Sequence, residues 1–388
     1  MRDTLSIMPY YGGKARMAKF IADMLDYDNT DIYVEPFGGA CRVLLNKPRH
    51  AVEIYNDFGE GVCSVMRMMS DPETAREFIY RLEDTEYSQE EFDRQKAIFD
   101  FCEKNAAQKE KDTLKRLLSD HNIPTRITKK NREDVQTRIQ ALLETDTDFA
   151  EKFQTAYNNW TLLLDAWNDG EHLPRNRDLY EEPISDMELA IATYVTFVQS
   201  RDAMGQVWSS CRFKDTPAYH KRLSGLWDCA ERMEGVEVMQ LDAMQYFRQA
   251  ADYRGIGKGY EIIGDWLNNP RVMIYCDPSY ISPSAEAAAL AKQGLDIDAV
   301  DIEQHTVADQ IDPKNLGAMY AMSYSYADHE AFLRAIRHAK CKLVVSNYDL
   351  QLYNKYLTPA DGWRRMEYET FTFGKKDNRR TEVLWYNY

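Results

Sequence analysis

Apolar positions in the first 65 residues recur with two different periods. Over residues 15–26 (ARMAKFIADMLD) they fall three and four apart, the spacing of a helix with one buried face. Residues 32–34 (IYV) read as a short buried strand followed by a glycine pair. Residues 51–55 (AVEIY) read as a second strand, ended by Asn56-Asp57. Strand, glycine turn, helix and strand in that order predict the opening of a doubly wound α/β sheet. From about residue 70 to 200 the chain is charged and helical in period (EFIYRLEDTEY, DTLKRLLSDH, DVQTRIQALLE). Turn signals at Asn122-Ile123-Pro124 and between Gly170 and Pro174 divide it. This predicts a mostly helical insertion. Strand character returns at 236–241, 271–276 and 341–346, with a helix at 328–340 before the last. The tail ETFTFGKKDNRRTEVLWYNY places two β-rich stretches around a basic turn, as an antiparallel hairpin at a sheet edge would.

Composition restricts what this architecture can serve. The 388 residues suffice for one large domain or two ordinary ones. No apolar run approaches the roughly 20 residues of a membrane span. The start, MRDTLSIMPYYGGKARM, lacks the pattern of a secretory leader. Seven cysteines are scattered, odd in number and without a CxxC pair, which favours reduced thiols in a cytoplasmic protein over a disulfide framework or a metal site. The formal net charge of −15 argues against a generally basic nucleic-acid binder. Residues 101–140, however, hold ten Lys or Arg against six acids. A phosphate-tracking surface needs such a local basic face, not a basic total.

Two constellations carry chemistry. Glu35-Pro36-Phe37-Gly38-Gly39-Ala40 follows a predicted strand and precedes a helix, where glycines let the backbone approach a ligand. Asp57, at the tip of the next strand, stands where nucleoside-binding α/β folds keep an acid for ribose hydroxyls. A plain tight turn and a turn-forming Asp are the ordinary alternatives. The second constellation is Asp277-Pro278-Ser279-Tyr280, directly after the strand VMIYC. There the Asp277 carboxylate and the Pro278 carbonyl suit the exocyclic amine of an extruded base, and Tyr280 suits its ring.

In order, these motifs resemble the Dam-type (alpha-group) N6-adenine DNA methyltransferases. Pro9-Tyr10-Tyr11-Gly12-Gly13-Lys14 is similar to that family's amino-terminal cofactor motif, and Val34 to Gly39 resembles its glycine turn. Asn56-Asp57 resembles the ribose-binding step. Gln240-Leu241-Asp242-Ala243 resembles the step that meets the cofactor's adenine, and Asp277 to Tyr280 resembles the catalytic motif DPPY. Asp328-His329, Ser346-Asn347 and Thr381-Glu382-Val383-Leu384 follow in the family's order. The resemblance spans roughly residues 8–66 and 190–388. It departs at Ser279, where the family has a second proline, and at Cys41, where it often has another glycine. The expectations are lost rigidity at the first and a slightly altered turn at the second.

The resemblance implies a Rossmann-like methyltransferase sheet that binds S-adenosylmethionine, formed by residues 1–69 and 226–388, with 70–225 as an inserted target-recognition domain. It implies cofactor contacts from Tyr10, Lys14, Glu35, Pro36, Phe37, Gly38, Gly39, Asp57, Asp242 and Asp277, and catalysis by Asp277, Pro278, Ser279 and Tyr280. Double-stranded DNA is the expected partner, with base flipping and no metal, as in a restriction-modification methylase. Expected DNA contacts are Lys129, Lys130 and Arg132 of the basic segment, with Arg201, Trp208 and Arg212 of the loop QSRDAMGQVWSS and its sequel. For Trp208 the ordinary alternative is a core side chain of a plain loop. The rival functions are an N4-cytosine methyltransferase and a non-catalytic DNA-binding relative.

Overall fold

The computed structural model describes residues 4–10, 12–14, 16–103, 106–126, 128, 130–168, 184–201, 205–243, 247, 266–281, 286, 324, 326–371 and 379–388. Strands β1 (Ile32–Glu35), β2 (Val52–Asp57), β3 (Glu237–Gln240), β4 (Val272–Cys276) and β5 (Lys342–Tyr348) pair in parallel. The hairpin β6 (Arg364–Phe371) and β7 (Arg379–Tyr386) adds two antiparallel strands, giving the order β3-β2-β1-β4-β5-β7-β6. The order reverses between β1 and β4, and in such sheets the crevice for ligands opens there, beyond the carboxyl ends of the strands.

Alternation along each strand builds a core on both faces of the sheet. Tyr33, Tyr55, Met273, Tyr275, Val344 and Leu384 point to one side. There α1 (Ala18–Met24), α2 (Arg42–Asn46), α3 (Glu60–Ser70) and α4 (Pro72–Glu83) pack. Val34, Ile54, Ile274, Val345 and Trp385 point to the other, and residues of α12 (Tyr326–Ile336) and α13 (Gln351–Tyr356) cover them. Burying each large side chain of these sets contributes about 1.5–3 kcal/mol. The expected strands and the helix before β5 are present, and the two strands of the tail pair antiparallel, while the basic turn expected between them lies outside the described residues.

The chain divides into two compact units, residues 1–99 with 185–388, and residues 100–184. The second is therefore narrower than the expected insertion of 70–225. The reason is packing. The amphipathic helix α4, the apolar helix α9 (Asp186–Gln199), and α10 (Thr216–Leu223) with α11 (Gly225–Met233) bury Phe78, Ile79, Leu82, Tyr194, Leu223 and Met233 in the core of the first unit. The charged outer faces of α4, α10 and α11 give the segment its insertion-like texture. Ser185 and Glu188 form a capping box that starts α9. The other unit contains α6 (Ala106–Asp120), α7 (Arg132–Thr145) and α8 (Thr147–Asn168), while α5 (Gln89–Glu103) runs across the division. Its own small core contains Leu117, Leu118, Ile123, Val135 and Phe149. No helix among the described residues is long and apolar enough to cross a membrane.

Candidate active site

At the carboxyl ends of β1, β2 and β4 an open cleft is lined by two groups of residues. One is the segment Tyr10, Gly12–Lys14 with the glycine turn Glu35–Val43. The other is Asp57, Phe58, Leu241, Ala243, Tyr275, Asp277–Ser279 and Tyr324. The reversal point of the sheet thus brings the two sequence motifs together.

The glycine turn is held from below. Gly38 donates its N–H to the Asn56 carbonyl at 2.8 Å, and Gly39 donates to Asp57 Oδ2 at 2.8 Å. The other Asp57 oxygen accepts from the Gly59 N–H at 2.8 Å, and the Tyr55 hydroxyl donates to the Gly39 carbonyl at 2.8 Å. A Cβ on Gly38 would lie 2.1 Å from the Tyr55 ring, and Gly39 has φ +48 with the Tyr10 ring over it. Both positions thus require glycine. Cys41 has φ 44, in the left-handed region, so the turn keeps a glycine-like conformation with a buried thiol beside Met66 and Met233. A non-glycine residue there carries local strain.

Asn56 ties β2 to the next loop. Its side-chain amide donates to the Pro36 and Leu241 carbonyls at 2.9 and 3.0 Å, and its oxygen accepts the Leu241 N–H at 2.9 Å. Glu35 is buried, accepting from the Tyr33 hydroxyl at 3.0 Å and the Leu44 N–H at 3.1 Å. Burial pushes its carboxyl up to about 8 against those two hydrogen bonds, and nearby Asp277 adds to the rise. Phe37 stacks on Phe247 and meets Tyr324 and Phe332 edge-on. Asp242 is buried, and its neighbours Leu241 and Ala243, rather than Asp242 itself, line the cleft.

Asp277 stands at the end of β4. Lys14 Nζ lies 2.8 Å from its Oδ2, and the Ser346 hydroxyl of β5 donates to its Oδ1 at 2.7 Å. Two partners on separate oxygens fix the plane of the carboxylate. The Lys14 ammonium also sits 4.5 Å from the centre of the Tyr280 ring, while the Tyr280 hydroxyl donates to Glu382 of β7 at 2.9 Å. Burial, then the Asp277 and Glu382 charges, raise that hydroxyl's pKa, so it remains a donor. Tyr280 is not among the residues lining the cleft. Its ring packs edge-on against Tyr348 at 4.8 Å. Ser279 Oγ accepts the Tyr324 N–H at 2.9 Å, so a hydrogen bond stands where the family's proline ring would.

The expected DNA contacts that are described fall in both units. Lys129 lies outside the described residues, and Lys130 and Arg132 are exposed on the 100–184 unit. In the other unit Arg201 is exposed on a tight loop closed by a Ser200–Trp208 bridge, and Arg212 donates to the Ser200 carbonyl at 3.0 Å. Trp208 is half-buried against Tyr87, with ring centres 5.6 Å apart.

Sequence reasoning missed Arg42. This residue opens α2 and lines the cleft, and its Nε is buried without a hydrogen-bond partner. A cation heading an otherwise apolar helix, directly after the glycine turn, was the available signal.

No curated protein matches the chain. Residues 10–138, about a third of its length, match the family model described as D12 class N6 adenine-specific DNA methyltransferase. That stretch contains β1, the glycine turn, Asn56 and Asp57, and the match marks this chain as an adenine-specific DNA methyltransferase.

Proposed function

We propose that the enzyme transfers a methyl group from S-adenosylmethionine to N6 of an adenine swung out of duplex DNA, in the manner of the Dam-type enzymes. The carrying observation is the placement of Asp277 and Pro278 across the sheet's reversal point from the Gly38-Gly39 turn, in one cleft. The residues fit the cofactor. Gly38 and Gly39 open the floor, the Asp57 carboxylate edges the cleft near the expected ribose, and Phe37 and Leu241 offer apolar surface. When bound, the cofactor supplies a methyl group on a positively charged sulfur.

The chain's residues supply orientation and charge. The adenine amine is a weak nucleophile because its lone pair is delocalised into the ring. Each Asp277 oxygen keeps a second lone pair beyond those taken by Lys14 and Ser346, so it can accept an amine N–H without releasing either. The Pro278 carbonyl can accept the other. Together they direct the lone pair towards the methyl and stabilise the positive charge that develops on nitrogen. Extrusion of the base costs a few kcal/mol, which contacts in the site must offset. A base stacking on Tyr280 would have to share or displace the Lys14 ammonium now over the ring. The 100–184 unit, with Lys130 and Arg132 exposed, and the Arg201 loop are the proposed DNA-binding parts.

The test is to incubate the purified protein with unmethylated genomic DNA and S-adenosylmethionine, then sequence for modified bases. N6-methyladenine confined to a short motif supports the reading. N4-methylcytosine, or cofactor binding without any modified base, overturns it.

A further inference from the structure

Within the cleft just described, two cations line the wall among the described residues, Lys14 and Arg42. Their situations differ. Lys14 is already committed, with its ammonium on Asp277, on the Gly12 carbonyl at 3.1 Å, and near Glu382. Arg42 makes no salt bridge or side-chain hydrogen bond with the described residues, and its Nε is buried and unpartnered. The one formal charge acting on it is a second arginine, Arg222, alongside the buried thiols of Cys41 and Cys229. Burial draws the Arg42 pKa down, as expected for a cation lacking a counter-ion. A partly buried guanidinium with no counter-ion is costly unless an anion completes the site.

The backbone around Arg42 is shaped to hold it in place. A Cβ on Gly13 would lie 3.4 Å from Arg42 Nε and 3.0 Å from the Tyr10 carbonyl, so the bare glycine lets the guanidinium lie against the turn. Gly13 in turn donates to that carbonyl at 3.1 Å. On the other side Arg42 follows Cys41, whose left-handed conformation sets the direction of α2. The planar fork of a guanidinium matches a carboxylate through two parallel N–H bonds.

We propose that Arg42 is the receptor for the α-carboxylate at the methionine end of the cofactor, an inference that rests on the reading of this cleft as the S-adenosylmethionine site. Asp57, at the rim beside Phe58, and Arg42, beside Gly13, then hold the two polar ends of one elongated ligand. Lys14 remains with the reacting centre as the partner of Asp277.

Calorimetric titration of the full chain with S-adenosylmethionine and with its decarboxylated analogue isolates this contact, because the two ligands differ by the carboxylate alone. The wild type should bind S-adenosylmethionine about tenfold to a hundredfold more tightly than the analogue. Arg42→Met, which keeps the apolar stem and removes a buried charge, should abolish that preference while binding the analogue as well as the wild type does. Arg42→Lys should recover part of it. Equal weakening of both ligands by Arg42→Met, or an undiminished preference in that variant, overturns the proposal. A wild-type protein that binds neither ligand overturns the cofactor reading, and this inference with it.

Discussion

The Lys14 ammonium and the Asp277 carboxylate meet at 2.8 Å, joining the segment before the first helix to the end of β4. Both side chains are largely shielded from water, so each depends on the other for a counter-charge. Asp277→Asn should abolish methyl transfer while leaving cofactor affinity within a few-fold. It should also cost about 1–3 kcal/mol of stability, since Lys14 loses its nearest anion. Adding Lys14→Met should restore the stability and not the activity. Thermal melts read the first effect and single-turnover assays the second. Near wild-type turnover by Asp277→Asn would sink the proposed mechanism.

Gly38 is fixed by the Tyr55 ring lying where its Cβ would be. Gly38→Ala should therefore cost about 1–3 kcal/mol by overpacking and lift the turn away from Asp57. Cofactor binding should fall more than stability does. Pairing it with Tyr55→Leu should recover part of the binding, which calorimetry can measure.

Glu35 sets a pH dependence. Its carboxyl titrates at about 8 in the folded chain against an ordinary value of 4.5, chiefly because it is buried. The folded state thus holds a proton that the unfolded state releases. The stabilisation is full below pH 4.5 and is lost as pH rises through 8, up to about 5 kcal/mol in all. Glu35→Gln keeps an acceptor for the Tyr33 hydroxyl and the Leu44 N–H and should flatten this part of the profile. Denaturant midpoints of both proteins between pH 5 and about 9 give the comparison, and parallel profiles would contradict it.

At the opposite end of β2 a buried ionic cluster needs no ligand. Glu53 pairs with Lys47 and accepts from Arg232 at 2.6 and 2.9 Å, while His50 lies 2.8 Å from Lys47. Glu53→Gln leaves two cations facing each other out of water. It should cost about 3–5 kcal/mol, with little effect on turnover by the protein that remains folded. Urea denaturation checks the first expectation.

Much of this was legible in the sequence, and particular residues show why. The runs VMIYC and CKLVVS announce buried parallel strands, and the glycine pair announces the turn between β1 and α2. The residues of the candidate site were legible as motifs, although not as contacts. Nothing local joins Ser346 to Asp277 or Glu382 to Tyr280, because partners on different strands are chosen by the sheet order. Arg42 offered only the signal of a cation heading an apolar helix, and its lack of a side-chain partner appears only in the fold. The texture of the segment expected as an insertion has a different basis. The outer faces of α4, α10 and α11 carry enough charge to disguise helices whose inner faces complete the core.

The strand order has a consequence for biosynthesis. β1 pairs with β2 on one edge and with β4 on the other, and β4 is encoded after more than two thirds of the chain. A nascent chain therefore carries its glycine turn on a strand with one bare edge until residues 272–276 leave the ribosome. The helices already made must shield that edge in the interval, and a chain truncated before β4 would expose a template for aggregation in place of half an enzyme.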